Sequence, residues 1–176
     1  MKLTRALWLL VLVPLTTAAQ TRFFFDRPET FKHRVTVSTQ VISLVTCELR
    51  SLPGCDEKAS KESPTFEAWR IPLGARRHAL MVRGYADCWH WADRFWFWIV
   101  LKNSKGYRVL LHAGSESLTV RNTLTHRFPD LETNAYTAEG IYRNVYKFNG
   151  KVYRVEMCTD TNAATRKTEP VTCRAQ

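Results

Sequence analysis

Apolar positions in this 176-residue chain follow three patterns: an unbroken run at the start, one stretch at helical spacing, and a long series of short alternating segments. The run from Ala6 to Leu15 follows Lys2 and Arg5 and ends in Thr17-Ala18-Ala19 before Gln20. A positive start, a short apolar run and small residues at a cut are the parts of an export signal. The run falls short of the ~20 residues that span a bilayer, which predicts cleavage rather than anchoring. No Cys follows the cut, so a lipid-anchored form is not expected. This reading takes residues 1–19 as a signal peptide and 20–176 as a single exported domain, periplasmic or secreted, with no membrane span.

The lead-in over 20–33 holds Phe23, Phe24 and Phe25, expected to dock on the core. Val41, Leu44, Val45 and Leu49 then recur at helical spacing, which predicts a helix between Val37 and Leu52. The β-branched neighbours Val35, Thr36, Val37, Thr39 and Ile42 favour a strand instead. Pro53-Gly54 ends this element, and residues 56–65 read as a polar loop.

Strand signals fill the rest. Phe66 to Pro72 and His78 to Tyr85 flank a turn at Gly74-Ala75-Arg76-Arg77. Arg94 to Lys102 is apolar on both faces, with Phe95, Phe97, Ile99 and Leu101 on one and Trp96, Trp98 and Val100 on the other. That pattern suits a strand covered on both sides. Asn103 to Gly106 turns the chain into Tyr107–His112, and Leu118–Arg121 follows. Asn149-Gly150 predicts a type I′ hairpin turn. Its register would pair Phe148 with Lys151, Tyr146 with Tyr153 and Tyr142 with Met157, and would oppose Arg143 to Glu156. One apolar face would then carry Tyr142, Tyr146, Phe148, Tyr153, Val155 and Met157. The tail over 159–176 is polar. The expected fold is α+β, mainly antiparallel β, with a C-terminal meander over residues 94–158 and one N-terminal helix.

Composition sharpens this picture in two ways. The chain has 26 Lys and Arg against 16 Asp and Glu. Removing Lys2 and Arg5 with the signal leaves 24 against 16, a net charge of +8. A basic exported protein can meet lipid headgroups, lipopolysaccharide, acidic wall polymers or an acidic protein, with nucleic acid the least favoured partner. Five cysteines also remain: Cys47, Cys55, Cys88, Cys158 and Cys173. Exported cysteines tend to pair, and an odd number leaves one over. Cys47 and Cys55 flank a Leu-Pro-Gly turn, so a bridge there is expected. Cys88 can reach Cys158 or Cys173; the expected pairing is Cys88–Cys158, with Cys173 least constrained.

Candidate chemistry centres on Cys88-Trp89-His90 with Trp91, Asp93, Trp96 and Trp98. A Cys nucleophile beside a His base is one reading, and a bridged Cys is the stronger one. The tryptophans could stack on sugars or pack in a core, with Trp89 and Trp91 the best placed for exposure. His33, His78, His90, His112 and His126 are scattered without metal-ligand spacing, so no metal or other cofactor is expected. Asp130 and Glu132 would share a strand face, as acid/base work requires, but with Glu139 they fit a solvated loop better. Nucleotide-binding and hydrolase fingerprints are absent from the sequence.

The pieces Gly106-Tyr107-Arg108-Val109-Leu110-Leu111, His126-Arg127-Phe128-Pro129-Asp130-Leu131 and the YKFNGKVYR stretch leading to Cys158 resemble a loose group of uncharacterised exported bacterial proteins. The resemblance covers about a third of the chain and implies an exported location without an activity. Residues 66–82 resemble repeats that bind calcium in an Asp-rich turn. Here the turn holds Arg76 and Arg77 and lacks the acidic ligands. These readings lead to a non-enzymatic exported binding or inhibitor-like module, envelope-associated, with an anionic partner docking on Arg76, Arg77, Trp89 and Trp91. The rival is a hydrolase of cell-wall or surface polymers using Cys88 and His90 or Asp130 and Glu132.

Overall fold

The computed structural model describes residues 20–25, 27, 32–49, 65–74, 77–85 and 95–173. Eleven strands and one helix follow in the order β1 (Thr21–Phe24), β2 (Arg34–Val35), α1 (Thr39–Leu49), β3 (Thr65–Pro72), β4 (His78–Tyr85), β5 (Phe95–Asn103), β6 (Gly106–Ser115), β7 (Ser117–Thr125), β8 (Phe128–Tyr136), β9 (Gly140–Phe148), β10 (Tyr153–Asn162) and β11 (Thr168–Pro170). They form a six-stranded sheet, β1-β7-β8-β9-β10-β11, and a five-stranded sheet, β2-β3-β4-β5-β6. All pairings are antiparallel. Among the described residues the chain is mainly antiparallel β with a single short helix, as the patterning predicted.

Two cores hold the layers together. Between the sheets, Trp69, Met81, Phe97, Ile99 and Leu111 of one meet Phe23, Leu118, Leu131, Tyr146 and Phe148 of the other. On the far side of the five-stranded sheet, Val41 and Val45 of α1 cover Ala68, Val82, Trp98 and Val100. Ser38 starts this helix, its hydroxyl accepting from the Val41 amide at 3.4 Å, as an N-cap serine does. Strand β5 therefore packs on both faces, and the two residue sets read from its sequence separate into the two cores as expected. Phe23 and Phe25 are buried, and the lead-in forms β1 against β7.

Three sequence expectations are corrected. The segment read as a solvated loop around Asp130 and Glu132 is β8, interior to the six-stranded sheet and buried along most of its length. Its flanking turn, His126-Arg127, has positive φ at both residues (50° and 66°), the signature of a type I′ turn.

The last hairpin has a different register. Its turn centres on Gly150-Lys151, with Gly150 at φ 94° and the Asn149 side chain accepting from the Lys151 and Val152 amides. Phe148 therefore faces Tyr153, and Tyr146 faces Val155. An extra residue at Glu156 then shifts the ladder, so that Met157 opposes Val145 and Cys158 opposes Asn144. The bulge turns Met157 outward, where it is 45 % exposed, and turns Cys158 inward, where it is 3 % exposed. Arg143 consequently lies opposite Thr159 rather than Glu156.

Cysteine pairing is the third correction. Cys158 is bonded to Cys173, with Cα atoms 5.2 Å apart, so the Cys88–Cys158 pairing is overturned. The hairpin of β10 and β11 explains the choice, because it brings Val171 to donate to the Cys158 carbonyl at 3.0 Å. Cys47 is a free, exposed thiol on α1, so it is not bridged to Cys55. Cys55 and Cys88 lie outside the described residues.

Candidate binding surface

Residues opposite one another in an antiparallel ladder share a face of the sheet. On the outer face of the six-stranded sheet one such row runs Arg22, Thr119, Glu132, Val145 and Met157. The next runs Phe24, Ser117, Asn134, Arg143 and Thr159. The alternation that sends Phe23, Leu118, Leu131 and Tyr146 into the core puts this polar set on the opposite side. The helix α1 packs on the other sheet, so it does not cover these rows.

The polar groups are tied into a network. Arg121 and Arg143 approach the Glu132 carboxylate at 3.4 and 3.5 Å. Arg22 donates from Nε to the Thr119 hydroxyl at 3.1 Å, and Arg143 to the Asn134 amide oxygen at 3.4 Å. Asn134 donates in turn to the Ser117 hydroxyl. Ser117, Thr119, Glu132 and Asn134 are all buried although they point away from the core. Beside the rows, the Arg22 and Arg27 guanidinium groups lie 5.8 and 5.2 Å from the centre of the Phe24 ring. Farther along, Lys147 of β9 stands directly opposite Arg154 of β10, with Glu156 at 3.9 Å from the Lys147 amine.

The sequence candidates fall elsewhere or play other parts. Asp130 and Glu132 do share the outer face of β8, but both Asp130 oxygens accept hydroxyls, from Thr123 and Thr125 at 2.7 Å. Glu132 is held by its two arginines. Arg77 is exposed in the β3–β4 turn, yet its guanidinium sits 4.6 Å over the Phe128 ring. It therefore links this turn to β8, and the Arg77 amide donates to the Gly74 carbonyl within its own turn. Arg76, Trp89, Trp91, Cys88 and His90 lie outside the described residues. Trp96 and Trp98 lie on the helix-covered side of β5, where both stack on His112. Among the described residues no cluster of three His, Cys, Asp or Glu could hold a metal ion.

Sequence reading missed Arg22, Arg121 and Arg143 as a group. The signal that could have found them is the polar member of each alternating strand, which becomes a surface only when the strand order is known. Compared with known proteins, the chain matches no family model, no curated protein and no solved structure.

Proposed function

We propose that this chain is an exported binding module, periplasmic or secreted, that holds an anionic envelope component on the outer face of its six-stranded sheet. One observation carries the reading: Arg121 and Arg143 both bind the Glu132 carboxylate on that face, and Arg22 extends the same face onto β1 through the Thr119 hydroxyl. Two of these guanidinium groups share one carboxylate, so the patch keeps a positive excess and unused donors. Arginine presents five N–H donors in a planar fork suited to carboxylate and phosphate oxygens. The facing pair Lys147 and Arg154 adds to the same potential. Like charges directly opposite one another disfavour a sheet, so this pair supplies positive charge rather than sheet stability.

Export is supported by the N-terminal pattern of residues 1–19 and by the Cys158–Cys173 disulfide, a bond that persists in oxidising compartments. Among the described residues no helix is long and apolar enough to cross a membrane.

The test is binding of an acidic polysaccharide, polygalacturonate, to the purified protein by calorimetry. The double variant Arg22→Ala/Arg143→Ala should lose about tenfold in affinity, because each exposed charge contact contributes on the order of 0.5–1 kcal/mol. Raising ionic strength should weaken the complex further, as the Debye length falls from about 10 Å at 0.1 M to 3 Å at 1 M. Unchanged affinity in the double variant overturns the assignment to this face.

A further inference from the structure

Strands β3 to β10 run alternately in opposite directions, so the turns β3–β4, β5–β6, β7–β8 and β9–β10 fall at one end of the two sheets. Ring contacts join three of them. The Arg77 guanidinium lies 4.6 Å over the Phe128 ring, and Phe128 stacks on Phe148 at 4.1 Å. The fourth, β5–β6, lies on the same sheet as the β3–β4 turn, about 10 Å away at ~4.8 Å per strand.

This end is basic. Arg77, Lys102, Lys105, Arg127 and Lys151 are exposed in the four turns or beside them. Residues 73–78, 102–107, 124–128 and 148–153 contain no Asp or Glu. The next acid along β8, Asp130, is buried, and each of its oxygens accepts a threonine hydroxyl. Among the described residues the opposite end is balanced, with Glu116 and Glu139 in its turns against Arg166 and Lys167. Neighbouring turns stand within a Debye length of about 10 Å at 0.1 M salt, so their potentials add.

One apolar side chain stands among these cations. Leu124, two residues before the His126-Arg127 turn, is 64 % exposed, more than any other large hydrophobic residue among those described. Its neighbours Asn122 and Thr123 are exposed as well, so the end of β7 stands clear of the core. A dissolved polyanion would satisfy the cations but offers nothing to the leucine. A bilayer surface satisfies both, because headgroup phosphates meet the cations while an apolar side chain enters the acyl boundary.

We propose that this end of the protein docks on anionic phospholipid bilayers, with Arg77, Lys102, Lys105, Arg127 and Lys151 at headgroup level and Leu124 inserted beneath them. The contact is peripheral. It uses none of the residues of the arginine face and does not rest on that reading.

The probes are vesicles of phosphatidylglycerol mixed with phosphatidylcholine and vesicles of phosphatidylcholine alone, followed by co-sedimentation of the purified protein. Binding to the first, none to the second and weakening with salt are expected. Lys105→Gln/Lys151→Gln should lower vesicle affinity by about twentyfold, at about fivefold per cation. Leu124→Ser should lower it by about tenfold, as a buried apolar contact is lost, and leave polygalacturonate binding unchanged. Leu124→Trp should add emission that brominated acyl chains quench beyond the quenching seen in the wild type. Arg143→Ala should weaken polygalacturonate and leave vesicle binding as it was, which separates failure here from failure of the arginine face. Equal binding to both vesicle types, as an apolar leader would give, overturns the proposal, and so does absence of binding to either. A loss in the lysine pair with no effect of Leu124→Ser also overturns it, because the ligand is then a polyanion rather than a bilayer. Vesicle binding that falls in Arg143→Ala as far as in the lysine pair overturns the placement at this end.

Discussion

His112 of β6 lies flat against Trp98 of β5, with ring planes 5° apart and centroids 5.1 Å apart. The two residues are register partners on the helix-covered face, and Trp96 stacks on the same imidazole at 4.9 Å. Burial disfavours the imidazolium and lowers the His112 pKa to about 4. The unfolded chain takes up a proton near pH 6.5, while the folded one resists until about pH 4. Stability should therefore be complete above pH 6.5, fall as pH drops toward 4, and level off below. The loss from this one group is at most about 3 kcal/mol. Urea titrations of the wild type and His112→Asn across that range check it; the variant should show a flatter profile.

The Cys158–Cys173 bond closes a loop with a sequence separation of 15. Removing it through Cys158→Ala/Cys173→Ala should cost about 3 kcal/mol by the loop-entropy relation. Peptide mapping of the native protein should recover this bridge, and mild alkylation before unfolding should modify Cys47, the exposed thiol of α1. Recovery of a Cys88–Cys158 peptide instead would contradict the structure.

Gly140 begins β9 where no side chain fits. A Cβ built there would stand 1.9 Å from the Thr161 carbonyl oxygen. The obstacle is backbone on the neighbouring strand, so relief requires parting β9 from β10. Gly140→Ala should destabilise by about 3 kcal/mol or more, the upper range of overpacking effects. A melting temperature equal to wild type would refute the close approach.

Arg83 is buried beneath Trp69 and Phe95, at 5.2 Å from each ring, with Glu67 at 2.7 Å, and it also donates to the Phe25 carbonyl. Burial lowers its pKa, opposed by the Glu67 carboxylate and aided by Arg34. Glu67→Ala removes the carboxylate 2.7 Å from this guanidinium and should cost about 3 kcal/mol, the low end for a broken buried pair because Glu67 is partly exposed. Replacing Arg34, 68 % exposed and bound to the same carboxylate, should cost less than about 1 kcal/mol. Chemical denaturation of both variants measures the contrast.

Alternation, helical spacing and turn residues determined the strands β3, β4, β5 and β6, the helix at Val41 and Val45, and the two-faced burial of β5. These signals are local, because each depends only on which residues lie two, three or four positions apart. Three features required the folded chain. Asn149-Gly150 favours one turn in isolation, but the bulge at Glu156 and the packing of Tyr146, Phe148 and Tyr153 against the other sheet select a register centred on Gly150-Lys151. Asp130 and Glu132 could share a strand face by sequence but fit a solvated loop better, and only their place between β7 and β9 makes them part of a buried strand. Cys158 found Cys173 because the bulge turned it inward while β11 brought the tail alongside. The arginine face arises in the same way: Arg22 of β1 and Arg143 of β9 are 121 positions apart in the chain and come onto one sheet face only through strand order, which no short-range pattern encodes.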